Sequence, residues 1–454
     1  MITTNMGFPN FVKYMGSKKE ILDFIISGIN LIHKDGQPIC DLFAGSATLS
    51  GALRGNNIGV ISNDIQEYSY ILAETYLTHY EWDTYPDINE IIELIETRVE
   101  EVHERFPQFR DAFNYYDNIT LKDFVALEEA QRDIVNFDGF SEFDNYYLFT
   151  KYYSGTYWNY EQCVWIDSVK YAADTFREIR PLYVAILSSL MFAMAYNSQS
   201  TGHYAQYRDA KNEKSMNDIL IYRRKNIKDF FVRKFNEIRN SLNTNTNDYV
   251  IQANDYKECL NSLGEGTLVY ADPPYGLVHY SRFYHILETL VKYDYPNIAH
   301  KGRYRDDRHQ SPFCISKQVK PAFTQMFTTI SEKKLDLVLS YSNSATNTIS
   351  FADLILLACI KLNNINEEDT IEKIRQIIIP AVEEQLTLRG FEFLDEEDTQ
   401  VIHITNQDFV AVTDKELIYS VKIKRELHNH STMGRREDRN RSVNEILIIA
   451  ERVR

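Results

Sequence analysis

A chain of 454 residues with 44% hydrophobic content has room for two or three domains and a sizeable core. No apolar run approaches the ~20 residues of a membrane span, and the N-terminus lacks the charged and apolar regions of a signal peptide. The five cysteines are odd in number, far apart and without metal-ligand spacing; no metal site or disulfide framework is expected, and the location expected is a reducing cytoplasm.

The net charge of −16 speaks against a nucleic-acid binder until its distribution is read. Residues 81–145 hold 18 acids and 5 bases, and residues 361–400 hold 11 acids and 4 bases, so the remaining chain is net positive. The acid is expected on solvated helical faces. Basic clusters then matter: Arg223, Arg224 and Lys225; Lys301, Arg303, Arg305 and Arg308; and Arg435, Arg436, Arg439 and Arg441. Tyr222, Phe230, Phe231 and Tyr304 interleave with them, a pattern that suits a polyanion as well as a solvated face.

In chain order, the first feature is Lys13-Tyr14-Met15-Gly16-Ser17-Lys18. Ser17 and Glu20 have capping-box spacing, and Ile21, Phe24, Ile25, Ile29 and Ile32 recur near helical period. Unpaired N–H groups at such a helix start suit a carboxylate or phosphate, although an ordinary capped helix has the same signature. A strand over residues 38–42 then runs into Asp41-Leu42-Phe43-Ala44-Gly45-Ser46-Ala47, a small-residue turn that lets a ligand approach the backbone. A second strand, residues 58–61, ends at Asn63 and Asp64. Asp64 stands about 20 residues beyond the glycine turn, the spacing at which an acid reaches a ribose hydroxyl in a nucleotide-binding βαβ unit. The Gly-Lys-Ser/Thr of a phosphate loop is missing, which disfavours an NTPase.

Residues 85–245 read as mostly helical, with Pro181 opening an apolar helix through Leu190 and Met194. The loop at 201–208 brings Tyr204, Gln206, Tyr207 and Arg208 together; it fits base stacking and reading, or a surface turn with a buried tyrosine. Because this stretch interrupts the α/β pattern, a second domain is expected there. Strands resume at 249–253, leading to Asn254 and Asp255, at 267–271, at 335–341 and at 443–449. Polar residues repeatedly follow apolar strands, at the edge where open α/β sheets bind ligands.

The strand at 267–271 runs into Asp272-Pro273-Pro274-Tyr275. A Pro-Pro pair is also an ordinary strand stop. Yet each proline stiffens the loop and lacks an N–H, leaving carbonyls free to accept from a ligand. A carboxylate, a carbonyl and a flat ring suit a planar base bearing an exocyclic amine: the first two take the amine hydrogens and the ring stacks.

Taken together, these motifs resemble those of the Dam-like, alpha-group DNA adenine-N6 methyltransferases. The Lys-(aromatic)-x-Gly-x-Lys turn corresponds to Lys13–Lys18, Asp-x-Phe-x-Gly to Asp41–Gly45, the strand-end acid to Asp64, and Asp-Pro-Pro-Tyr to Asp272–Tyr275, in the family's order. The resemblance implies a Rossmann-like α/β fold with a mostly parallel seven-stranded sheet. It divides the chain into a cofactor-binding part (1–84), an inserted helical target-recognition domain (85–245) and a catalytic part (246–454). S-adenosylmethionine is the implied cofactor, with Tyr14, Lys18, Asp41, Phe43, Gly45, Asp64, Asp255 and Asp272 in its pocket. Duplex DNA is the implied substrate, its adenine flipped out so that Asp272 and the Pro273 carbonyl orient N6 while Tyr275 stacks. Tyr204, Gln206 and Tyr207 are the expected recognition contacts, and Arg303, Arg305 and Arg308, with Ser311, the expected phosphate grips. A cognate restriction endonuclease is an implied partner.

Ala47 stands where the wider class often has a second glycine, and Tyr14 where tryptophan is frequent. Cytosine-C5 chemistry needs a thiolate, and its family's Pro-Cys pair does not occur. RNA adenine methylation and a catalytically silent DNA-binding module remain alternatives on the same motifs.

Overall fold

A computed structural model describes residues 2–3, 7–14, 18–199, 203–274, 276–277, 279–342, 347–387, 402–403, 416–429 and 442–454. Among them, seven strands of three residues or more form one sheet: β1 (Ile39–Asp41), β2 (Val60–Asn63), β3 (Tyr249–Gln252), β4 (Leu268–Ala271), β5 (Asp336–Ser342), β6 (Tyr419–Asn429) and β7 (Ser442–Arg452). Their spatial order is β3-β2-β1-β4-β5-β7-β6, with a two-residue strand, Ile402–His403, beyond β6. The first five run parallel, whereas β7 is antiparallel to β5 and β6 is antiparallel to β7. The mostly parallel sheet of seven strands is the one expected; the place of β6 was not located from sequence. Strand order reverses between β1 and β4, which opens a crevice at the carboxyl ends there.

Side chains alternate across this sheet and both faces are covered. On β4, Leu268 and Tyr270 enter one core while Val269 and Ala271 enter the other. On β7, Leu447 and Ile449 face the first core and Ile446 and Ile448 the second. The first face is covered by α1 (Leu22–Asn30), α2 (Thr48–Leu53) and α3 (Glu67–Leu77). Phe24, Ile25 and Ile29 of α1 point inward, as their spacing predicts. Gly28 lets this helix lie close on β7, since a Cβ there would stand 2.5 Å from Leu447 Cδ1. Helices Val319–Glu332, Phe351–Leu362 and Glu368–Thr387 cover the second face.

Between β2 and β3 the chain is helical, as expected: α4 (Ile88–Arg105), α5 (Tyr160–Thr175), α6 (Arg180–Asn197) and α7 (Ile227–Ser241) are its longest described members. Pro181 lies in the first turn of α6, whose residues are apolar nearly all round and therefore buried. This helix packs on α3, α5 and α7 and shares the first core with the sheet. Thr75 and Ser188 hydroxyls meet at 2.7 Å across the α3–α6 contact, and Arg180 makes a bidentate pair with Glu74 beside it. Much of the acid of 81–145 sits on α4, where Glu90, Glu93, Glu96, Glu100, Glu101 and Glu104 are exposed while Ile91, Ile95, Val99 and Val102 are buried.

Candidate active site

The carboxyl ends of β1, β2, β3 and β4 bring Asp41, Asp64, Asp255 and Asp272 to one cleft of about 1150 Å³. Tyr14, Lys18, Phe43, Gly45, Pro273 and Pro274 line the same cleft, so ten predicted positions meet there. Tyr275 lies outside the described residues, as do Met15, Gly16 and Ser17 of the first turn and the basic cluster at 435–441.

The turn after β1 is tied to the acid after β2. Asp64 Oδ2 accepts the Gly45 N–H at 2.9 Å, and its Oδ1 accepts the Gln66 N–H at 2.9 Å. Gly45 adopts φ +53°, and a Cβ on it would stand 2.9 Å from the Tyr14 hydroxyl, so glycine is required twice over at this position. Ala47 also adopts a left-handed conformation, φ 55°, where the wider class has its second glycine. Asn63, named in the sequence only as a strand end, stitches the neighbouring loops: its Nδ2 donates to the Leu42 and Asn254 carbonyls at 3.1 and 3.2 Å.

Tyr14 stacks, but on protein. Its ring lies 4.5 Å from Tyr284 and 5.6 Å from Tyr280, nearly parallel to both. These two tyrosines, one helical turn apart after the Asp-Pro-Pro-Tyr loop, escaped the sequence reading; their spacing was the available signal. Phe43 packs edge-on against Phe313 at 5.5 Å, a wall contributed by a distant loop that no local pattern marks. Asp255 caps the helix Tyr256–Ser262 by accepting the Lys257 N–H at 3.0 Å.

Electrostatics distinguish the carboxylates. Burial, then the charges of Asp272 and Asp64, push Asp41 well above the ordinary carboxylate range. Burial also raises Asp64, while the bonds from the Gln66 and Gly45 N–H groups pull it back. Asp272 is pushed up to about 7: burial raises it most, Lys18 lowers it and Glu445 raises it again. The Lys18 ammonium stands 3.3 Å from Asp272 Oδ1 and 2.7 Å from Glu445 Oε1. Among the described residues Asp41 Oδ1 is buried without a hydrogen-bond donor, and Asp272 Oδ1 has only the ion-pair contact with Lys18 at 3.3 Å, without hydrogen-bond geometry. Four aspartates sharing a cleft with one lysine, two of them with buried acceptor atoms not hydrogen-bonded among the described residues, suit a ligand that brings positive charge and N–H or O–H donors.

A family comparison places the chain. Residues 14–178 and 167–343 match the D12 class N6 adenine-specific DNA methyltransferases, a span holding every predicted site residue and ending at the close of β5. The chain belongs to this family. Among its relatives are modification methylase LlaI of Lactococcus lactis subsp. lactis, 25% identical over 338 residues, and type II methyltransferase M.FokI of Planomicrobium okeanokoites, 24% identical over 329. The aligned regions are 74% and 69% of this chain but only 46% and 42% of those proteins, so the chain spans less than half the length of these two. Type II methyltransferase M.NlaIII of Neisseria lactamica is 19% identical over 347 residues, 74% of this chain and 85% of that protein.

The expected DNA contacts of this family member divide. Gln206 is exposed, and Tyr207 is half-buried with Lys301 above its ring. Tyr204 is not presented for reading: it is 3% exposed, and its carbonyl accepts from Tyr157 Oη and faces His285 Nε2 at 2.9 Å. Arg303 is half-buried and spends its guanidinium on the Tyr152 and Arg132 carbonyls. Arg305 is a clear correction. It is 2% exposed and bidentate to both Asp294 and Asp307, leaving it no phosphate to grip. Arg223 of another basic cluster is likewise buried, forked onto Glu128 at 2.8 and 2.7 Å. Arg308 differs in having one donor without a partner among the described residues. Its guanidinium lies 5.4 Å from the Tyr304 ring centre with a buried, unpaired Nη1, and Arg282, missed from sequence, lies 5.6 Å from that ring with a buried Nε likewise unpaired among the described residues. Both are sequence neighbours of cleft residues Ser281 and His309.

Proposed function

We propose that this protein is a site-specific DNA methyltransferase that moves a methyl group from S-adenosylmethionine to N6 of adenine in duplex DNA, as the modification half of a restriction–modification pair. The observation that carries this reading is Asp272 Oδ1 at the end of β4, beside Pro273 and Pro274, a buried acceptor whose nearest cation, the Lys18 ammonium, stands off at 3.3 Å, in a chain of the D12 class. No described helix is long and apolar enough to cross a membrane, in keeping with a cytoplasmic enzyme.

When bound, S-adenosylmethionine supplies an electrophilic methyl group on a sulfonium. Asp41 and Lys18 would hold its methionine end, Phe43 and Gly45 would flank it, Asp64 would accept from ribose hydroxyls and Asp255 would sit near the adenine amine. The unfilled Asp41 oxygen and the crowded carboxylates fit a ligand that carries an ammonium and a sulfonium. Phe43, Tyr256 and Phe313 wall the cleft with hydrocarbon and keep water from the reacting centre.

The target adenine must leave the duplex to reach this depth. Asp272 and the Pro273 carbonyl would take the two N6 hydrogens, turning the nitrogen lone pair toward the methyl group, with Tyr275 stacked on the base. Catalysis by these residues is positioning and electrostatics. A thiolate route is disfavoured further by burial, which raises Cys40 and Cys163 well above their ordinary value and Cys314 and Cys359 to about 12. Arg282 and Arg308 would take phosphates beside the extruded nucleotide, and Gln206 and Tyr207 of the helical insertion would meet the bases.

Incubation with S-adenosylmethionine and unmethylated genomic DNA, followed by nucleoside mass analysis, is the test. N6-methyladenine in DNA supports the reading. Methylation confined to a parallel RNA sample would replace it with the RNA alternative, and cofactor binding without transfer to either would point to the silent module.

A further inference from the structure

Glu445 lies outside the span matched to the family, on the last strand of the sheet, yet it reaches the catalytic cleft from behind. Its carboxylate is 1% exposed and accepts from Lys18 Nζ at 2.7 Å and from the Ser340 hydroxyl. Lys18, 12% exposed, has its other carboxylate contact with Asp272 Oδ1 at 3.3 Å. One ammonium is thus shared by a buried acid, Glu445, and a half-buried one, Asp272, and the shorter contact goes to the one that does not line the cleft.

The arrangement solves a chemical conflict. A lysine given wholly to Asp272 would stabilise its carboxylate but occupy the oxygen that a target amine needs. Without any lysine, a carboxylate at this depth would take up a proton and lose its acceptor character. We propose that Glu445 is a positioning residue: it draws the Lys18 ammonium back from Asp272, so that Asp272 keeps a neighbouring positive charge and an open acceptor oxygen for the N6 amine. This inference rests on the methyl-transfer reading of the cleft. Antiparallel pairing of β7 with β5, which sets Glu445 opposite Ser342 and two residues from the Ser340 position, holds the carboxylate in the buried centre of the sheet.

The charged and titratable groups facing Asp272 are Lys18 from the first helical turn, Glu445 from β7, Asp41 from β1 and Tyr270 from β4. Glu445→Gln keeps an oxygen for Lys18 and Ser340 but removes the charge that competes for the ammonium. In the ligand-free full-length protein carrying ¹³C-labelled aspartate carboxyls, with Asp272→Asn identifying the resonance, the Asp272 midpoint should fall by about one pH unit in Glu445→Gln. Lys18→Met should move it upward, and Glu445→Asp, which retains the charge, should leave it near the parent value. If Glu445→Gln does not fold, the rise in Lys18→Met against the unmoved midpoint in Glu445→Asp decides the matter. In methylation assays Glu445→Gln should lower kcat several-fold and shift the acid limb of the rate profile to lower pH. An Asp272 midpoint that ignores Glu445, or a lost rate with an unmoved limb, overturns the proposal. A shifted midpoint in a protein that methylates no DNA would instead leave the clamp standing and sink the assigned function.

Discussion

Arg305 offers the sharpest contrast between what its position in the sequence invites and what its surroundings allow. It was expected to grip phosphate, but its guanidinium makes four hydrogen bonds to Asp294 and Asp307, at 2.6 to 2.9 Å. Arg305→Ala strips a 2% exposed side chain from that fork. The two aspartates are 44% and 58% exposed, so water takes over much of their solvation when the arginine goes. The loss is therefore nearer that of a surface network than of a sealed ion pair, roughly 2 kcal/mol. Thermal or urea unfolding at pH 7 reads it directly. The sign with pH follows from the aspartates, which Arg305 holds below the usual carboxylate range. A lowered folded value means stability fully present above the unfolded value of about 4 and lost as pH falls through the lowered folded values. Parent and variant should thus differ at pH 7 and converge in strong acid. DNA binding by folded Arg305→Ala should keep its salt dependence, whereas Arg308→Ala should lose about 0.9 from the slope of log affinity against log salt, one phosphate contact. A reduced slope in Arg305→Ala with an unchanged unfolding midpoint would refute the reasoning.

Other variants test the rest of the site. Asp272→Asn should fold like the parent and lose at least about 10²-fold in kcat, as removal of a positioned polar group does elsewhere; normal turnover would falsify its assignment. Asp64→Ala removes the acceptor for the Gly45 and Gln66 N–H groups as well as a ribose contact, so calorimetry should find weaker cofactor binding together with about 1–3 kcal/mol less stability. Gly45→Ala forces a methyl toward the Tyr14 hydroxyl from a left-handed backbone, and a penalty of about 1–2 kcal/mol should weaken cofactor affinity about tenfold; unchanged affinity would show that the turn adapts. Glu128→Ala leaves Arg223 fully buried without its carboxylate and should cost about 3–5 kcal/mol in denaturant titrations while sparing the cleft.

What the sequence determined by itself was the alternation of strand and helix and the chemistry at the strand ends. Those features are local: an apolar run, a small-residue turn and an acid at a set spacing carry the same meaning wherever the chain goes. Asp41, Gly45, Asp64, Asp255 and Asp272 were legible for that reason, and the parallel order of the sheet brings them to one cleft. Residue type alone could not say which charges are free. Arg305 and Arg308 stand three apart, yet one is consumed by two aspartates and the other has a donor left unpaired among the described residues, because burial and partners depend on what the fold lays beside each. Tyr204 was removed from the surface in the same way, by packing against Tyr157 and Trp158. Glu445 was beyond any local reading: 427 residues separate it from Lys18, and only the antiparallel return of the last strand into the sheet sets its carboxylate behind the ammonium.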